Sequence, residues 1–174
     1  ADHPAVIEFC KRNAVDLVVV GPETPLAAGI VDDLAKAGIK AFGPGRQAAQ
    51  LEGSKGFTKA LCTEFNIPTG AYGRFTTADD ALAYVRAQGA PIVVKADGLA
   101  AGKGVYVCAT LSELKEAAEG LFDKKILGVA GSRALLEQFQ PGYEISYLIL
   151  TNGERSEALP LAQELCPAIA DMPD

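Results

Sequence analysis

Apolar positions recur along this chain at two spacings, and the switches between them predict its elements. Pro4 to Asn13 sets Val6, Ile7, Phe9 and Cys10 at helical intervals. Asp16 to Val20 then reads as a continuous, buried strand, stopped by Gly21-Pro22. A helix follows from about Pro25 to Lys36, with Leu26, Ile30, Val31 and Leu34 on one face and Gly38 at its end, and Ile39 to Phe42 is a short strand closed by Gly43-Pro44-Gly45. Strand and helix alternating over such short turns predict a parallel, doubly wound sheet. Only two of its strands are visible, too few to stand alone.

Beyond Gln47 the pattern changes. A helix is predicted over Ser54 to Phe65, a turn at Ile67-Pro68, a strand at Tyr72 to Phe75 and a helix from Ala78 to Ala87. Pro91 to Ala96 and Gly104 to Ala109 are β-branched runs separated only by the glycine-rich Asp97 to Lys103. After a helix over Leu111 to Phe122, strands are expected at Ala134 to Phe139, Glu144 to Thr151 and about Arg155 to Pro160. The fold class is therefore α/β: part of a parallel, doubly wound N-terminal domain over residues 1–50, then an α+β domain with antiparallel sheets over 51–174.

Composition narrows the function classes. The 174 residues are 49% hydrophobic and 22% charged with a net charge of -6, which excludes whole-chain disorder. Without a dense Lys/Arg run, nucleic acid and anionic membrane drop out as main partners. The longest apolar runs are strand-sized, and Ala1 to Lys11 reads as an amphipathic helix rather than a secretory signal, so a cytoplasmic protein is expected. The start at Ala1, with Met172 the one methionine, reads as processing or excision. Cys10, Cys62, Cys108 and Cys166 are too scattered for a zinc site or disulfide scaffold and are read as buried or neutral thiols. His3, at a frayed start, leaves Ser-His-Asp and Cys-His devices without a usable base.

The sharpest chemical feature is Gly98-Leu-Ala-Ala-Gly102-Lys103-Gly104. Its spacing fits neither the Walker loop nor the dinucleotide fingerprint, and it joins strand to strand. Such a hairpin is either a plain turn or a flap whose backbone N–H groups lie over phosphates. Lys95 ends a buried run and needs an anion, either the nearby Asp97 or a nucleotide phosphate. Lys55 and Lys59, at i and i+4, read as a solvated face or a site. Glu137 and Phe139 at one strand end and Glu144 opening the next suit a purine amine and ribose hydroxyls. Gly21-Pro22-Glu23 sits at the carboxyl end of a parallel strand, as a helix-capping turn or a ligand site.

Taken together, Gly21-Pro-Glu-Thr-Pro-Leu26, Phe42-Gly-Pro44, Gln50-Leu-Glu-Gly-Ser-Lys55, Phe57-Thr-Lys59 and Val93-Val-Lys-Ala-Asp-Gly-Leu-Ala-Ala-Gly-Lys-Gly-Val105 resemble the glycinamide ribonucleotide synthetase (phosphoribosylamine-glycine ligase) family of ATP-grasp enzymes. The resemblance runs from about Asp16 to about Gln163. It implies ATP held between two antiparallel sheets, phosphorylation of the glycine carboxylate, and attack on the acyl phosphate by the amine of phosphoribosylamine, a step of purine synthesis. It further implies that Lys55 and Lys95 contact the phosphates, with Lys59 as runner-up for Lys55. Gly98, Gly102, Lys103 and Gly104 would form the flap. Glu137 and Phe139 would line the adenine pocket, Glu144 would hold the ribose, and Gly21, Pro22 and Glu23 would face phosphoribosylamine.

Three departures accompany these matches. Ala1 is preceded by no Gly-Gly-Arg-Glu-His turn, no Phe-Asn-x-Arg-Phe-Gly-Asp-Pro-Glu segment offers Mg²⁺ ligands, and Glu164 to Asp174 leaves the family pattern. No residue is assigned as catalytic. The expectation is a truncated, ATP-binding portion that is inactive alone. The alternatives are a non-catalytic nucleotide- or partner-binding module of ATP-grasp type, or an ATP-grasp ligase for another carboxylate and amine.

Overall fold

The computed structural model describes residues 2–100 and 104–162. It divides into two compact units, one ending at Phe139 and one beginning at Gln140.

The first unit opens with α1 (His3–Arg12), whose first turn is capped by the Asp2 carboxylate accepting from the Ala5 amide at 3.1 Å. β1 (Val18–Val19) and β2 (Ala41–Phe42) pair in parallel, Val18 opposite Ala41. Between them lie α2 (Glu23–Ala28) and α3 (Ile30–Lys36). Cys10, Ile30 and Leu34 are buried together, with Val6, Ile7, Val18 and Val20 packed against them.

Three expectations for this region are corrected. Asp16 to Val20 is not a continuous buried strand: only Val18–Val19 pairs, and Val19 is 67% exposed. Val18 and Val20 meet the helices while Leu17 and Val19 face away, so one side of this small sheet is covered and the other is open. The expected helix from Pro25 to Lys36 is two helices, parted at Gly29, whose φ of 88° is left-handed. His3 is not frayed. It sits in the first turn of α1 with Nδ1 2.8 Å from Asp33 Oδ2, and with Lys36 it holds the Asp33 carboxyl below the ordinary carboxylate range.

α4 (Gln50–Gly53) and α5 (Lys55–Glu64) lead into a four-stranded antiparallel sheet ordered β3-β6-β4-β5. Its strands are β3 (Tyr72–Phe75), β4 (Ile92–Ala96), β5 (Val105–Cys108) and β6 (Ala134–Gln138). Side chains alternate across it. Ile92, Val94, Ala96, Ala134 and Leu136 form the main core with Ala81 and Val85 of α6 (Ala78–Gln88) and Leu114 of α7 (Leu111–Ala118). Lys95, Leu135 and Glu137 therefore belong to the opposite face, which meets α5. The predicted helix to Phe122 changes at Glu119–Asp123 into one π-helical turn.

Free Cys10 and Cys108 are buried and Cys62 is half-buried; Cys166 lies outside the described residues. Burial, helped by the Glu113 charge, pushes the Cys108 thiol above its ordinary value.

In the second unit β7 (Ile149–Thr151) and β8 (Ser156–Ala158) form a hairpin, its turn held by Asn152 Oδ1 accepting from the Glu154 and Arg155 amides. The strand expected from Glu144 is thus shorter. Upstream of Ile149, among the described residues, backbone pairing is confined to the Leu148 carbonyl, which accepts from the Leu159 amide at 2.9 Å, and to the Ser146–Ala162 bridge, too little for a continuous ladder.

The core assignment makes a stability prediction. Leu136→Ala, at a fully buried position between β3 and β4, should cost about 2–5 kcal/mol. Val19→Ala, on the open face, should cost under about 0.5 kcal/mol. Urea unfolding followed by circular dichroism measures both, and equal losses would contradict the assigned faces.

Candidate functional site

The site begins at Ser54, the N-cap of α5, whose Oγ accepts from the Phe57 amide at 3.1 Å. Starting the helix there puts Lys55 in its first turn and Lys59 one turn on, along the same side. In the sheet, β4 and β6 pair so that Val93 faces Glu137 and Lys95 faces Leu135. Lys95 and Glu137 are then diagonal neighbours on one face.

The three elements converge on Glu137. Its Oε2 lies 2.8 Å from Lys59 Nζ, and its Oε1 is ion-paired with Lys95 Nζ. Lys59 also donates to Thr69 Oγ1 at 2.5 Å and stands 5.7 Å from the centre of the Tyr72 ring. The Lys59 and Glu137 side chains are each 13% exposed and Lys95 is 28% exposed, so Lys59 is a member of the site rather than part of a solvated face. Burial pushes the Glu137 carboxyl upward, but hydrogen bonds from Lys59 and Lys95 outweigh that and hold it below its ordinary value.

Around this cluster lies a cavity of about 310 Å³. Lys55, Lys59, Lys95 and Glu137 give it charge, Thr58 and Thr69 give it hydroxyls, and Leu51 and Leu135 give it apolar walls, with Cys62 beside them. Three cations face one carboxylate, leaving a surplus of positive charge suited to an anion. A larger cavity of about 750 Å³ touches Arg46, Asp32, Phe57 and Leu61. There Asp32 accepts from the Arg46 amide at 2.8 Å, and no comparable set of side chains converges, so chemistry rather than size marks the smaller one.

The internal carboxylate that meets Lys95 is Glu137, and the reading of Asp97 as its partner is corrected. Asp97 lies one residue past β4 and turns to the start of α5 instead: its Oδ1 accepts from Ser54 Oγ at 3.0 Å and from the Gly56 amide at 2.7 Å. Arg133 Nε stands 3.2 Å from Oδ2 as an ion pair with no hydrogen bond aligned on it.

Of the residues singled out by sequence, the structure brings Lys55, Lys95 and Glu137 into one cavity, together with Lys59. Gly98 and Gly104 form the base of the glycine-rich loop. A Cβ on Gly98 would stand 3.0 Å from Ala130 Cα, and one on Gly104 would stand 2.8 Å from Ala96 Cβ, so close packing alone demands both glycines. Gly102 and Lys103 lie outside the described residues. Phe139 is exposed just beyond β6, and Glu144 is exposed in the second unit. Gly21 and Pro22 follow β1 and Glu23 opens α2; all three are exposed, and none lines the lysine cavity. Thr69 carried no sequence signal for the site; Ser54 and Asp97 stood in the motifs above, but their hydrogen bonding to each other did not follow from them.

Among the described residues no group of three or more His, Cys, Asp or Glu side chains could hold a metal ion. Both acids nearest the cavity are committed to cations, Glu137 to lysines and Asp97 to Arg133, so these residues do not fit a divalent cation. No helix among them is long and apolar enough to cross a membrane.

Comparison with known proteins finds matches to both parts of the chain. Residues 1–52 match the phosphoribosylglycinamide synthetase N domain and residues 53–170 match the phosphoribosylglycinamide synthetase ATP-grasp (A) domain. The chain is 56% identical over 163 residues to phosphoribosylamine-glycine ligase of Brucella melitensis, covering 94% of this chain and 38% of that protein. It is 52% identical over 164 residues to the chloroplastic phosphoribosylamine-glycine ligase of Arabidopsis thaliana, covering 94% of this chain and 31% of the relative. Among solved structures, phosphoribosylamine-glycine ligase of Thermotoga maritima superposes with a TM-score of 0.65 at 31% identity, over 70% of this chain and 31% of that one. Biotin carboxylase of Campylobacter jejuni superposes with a TM-score of 0.76 at 20% identity, over 90% of this chain and 36% of its own, and shares the fold.

The Glu137 contacts predict an acid-labile contribution to stability. Because the folded-state value is lowered, the stabilisation is full above the unfolded carboxyl value and is lost as pH falls through the folded one. The difference in urea midpoint between the native chain and Glu137→Gln should be largest at neutral pH and shrink on acidification. A difference that stays constant to pH of about 3 would contradict it.

Proposed function

The chain belongs to the phosphoribosylglycinamide synthetase family, and on that premise we propose that its lysine cavity holds the polyphosphate of ATP for the ligation of glycine to phosphoribosylamine in purine biosynthesis. The chain spans 38% of the length of the Brucella melitensis relative. The observation that carries the reading is the convergence of Lys55, Lys59 and Lys95 on one cavity containing a single carboxylate.

In this reading the terminal phosphoryl group of ATP passes to a glycine carboxylate oxygen, giving an acyl phosphate and ADP. The amine of phosphoribosylamine then attacks the acyl carbon, a C–N bond forms and phosphate leaves. The lysines offset phosphate charge that would repel the incoming carboxylate. Glu137 keeps their ammonium groups in place before nucleotide arrives. The glycine-rich segment from Gly98 through Gly102 and Lys103 to Gly104 closes over the phosphates, using backbone N–H groups unshielded by side chains. Glu137 and Phe139 meet the adenine, Glu144 meets the ribose, and Gly21, Pro22 and Glu23 face phosphoribosylamine. The domain division is then a substrate-binding portion over residues 1–50 and a nucleotide-binding portion over 51–174. A cytoplasmic, small-molecule enzyme is the setting that suits this chemistry. The divalent cation of the reaction has no role assigned among the described residues.

Titration calorimetry with ATP tests the reading. Binding in the micromolar to millimolar range is expected, weakened about tenfold or more by Lys95→Ala, since a lost charge-assisted contact is worth about 1.5–3 kcal/mol. No heat at millimolar ATP would overturn it.

A further inference from the structure

Asp97 is the one charged residue among the described residues that is essentially buried, 2% exposed. A carboxylate so placed is costly unless its oxygens are satisfied. Its contacts join three pieces of chain. The side chain takes the Ser54 hydroxyl and the Gly56 amide, and the main-chain oxygen takes the Lys55 amide at 3.2 Å. The main-chain N–H donates to the Arg133 carbonyl at 2.9 Å, and Oδ2 faces Arg133 Nε. The first belongs to the start of α5 and the last to the entry of β6, while Asp97 itself directly follows β4. A negative charge against the first turn of a helix is also favoured by the aligned peptide dipoles.

We propose that Asp97 is a positioning residue for the lysine cavity, pinning the first turn of α5 to the end of β4 so that Lys55 and Lys59 stand opposite Lys95 and Glu137. Its consequence for nucleotide rests on the reading above. The geometry has a direct logic: Lys55 and Lys59 rotate with α5, Lys95 moves with β4 and Glu137 with β6, and Asp97 bonds to all three elements at their common end. An asparagine keeps the shape and one acceptor but loses the charge that draws Arg133 and shortens the bond to Gly56.

Two readouts on the same chain separate positioning from general stability. The first is the titration of the Glu137 carboxyl by carbon NMR without nucleotide, which burial raises and the hydrogen bonds and charges of Lys59 and Lys95 lower. The second is ATP calorimetry. Asp97→Asn should move the Glu137 titration up toward the ordinary glutamate value, as Lys59 is no longer held against it, and weaken ATP about tenfold. Ser54→Ala should do both in the same direction by less. A folded Asp97→Asn with lowered thermal stability but an unmoved Glu137 titration overturns the proposal. If Asp97→Asn does not fold, Ser54→Ala decides, and an unmoved Glu137 titration there overturns it equally. Failure of the native chain to bind ATP sinks the nucleotide reading, while the Glu137 titration still decides the positioning.

Discussion

Two lysine ammonium groups shared by one carboxylate set the geometry on which the rest of the site depends. Lys59 and Lys95 come from a helix and a strand far apart in sequence, and each is too enclosed to be solvated as a surface lysine would be. Like charges this close repel strongly in a medium of reduced dielectric. Glu137 relieves that repulsion and is itself held ionised by them. Either partner alone would be a poorly compensated buried charge, which is why the helix, both strands and their register have to agree.

The sheet makes that agreement possible. One face carries small and branched apolar side chains against α6 and α7, and this core fixes the strands. Because side chains alternate, the same strands offer Lys95, Leu135 and Glu137 on the other face at no further cost in backbone geometry. A slip of one residue between β4 and β6 would bury the charges and expose the core. The core thus enforces the register, and the register builds the charged cavity. Asp97 and Ser54 then set where α5 lies over it.

The family resemblance and the physical reading meet at this cavity. The family models divide the chain at residues 52 and 53, just before Ser54, whereas contacts group everything up to Phe139 into one unit. These statements are compatible, since α5 leans on the sheet through Asp97 and on the preceding segment through Thr58, whose hydroxyl donates to the Leu51 carbonyl at 2.6 Å. The cavity wall formed by Leu51 belongs to the earlier segment and the lysines to the later one.

Local pattern in the sequence settled most elements: β3, β4, β5, β6, α5 and α6 follow from periodicity and turn residues, because their signals are local. Lys55 and Lys95 were also singled out, through residue type, spacing and resemblance, and both line the one cavity. What the tertiary structure decided were the facts that depend on pairing. Gly29 split a helix because a left-handed turn was needed there, and the strand expected from Glu144 shortened for want of a ladder. The partner of Lys95 proved to be Glu137, 42 positions away in the numbering, rather than the adjacent Asp97. Periodicity can say that a residue is on a face, but only strand register and helix docking say which residue it meets, since those are fixed by packing between distant segments.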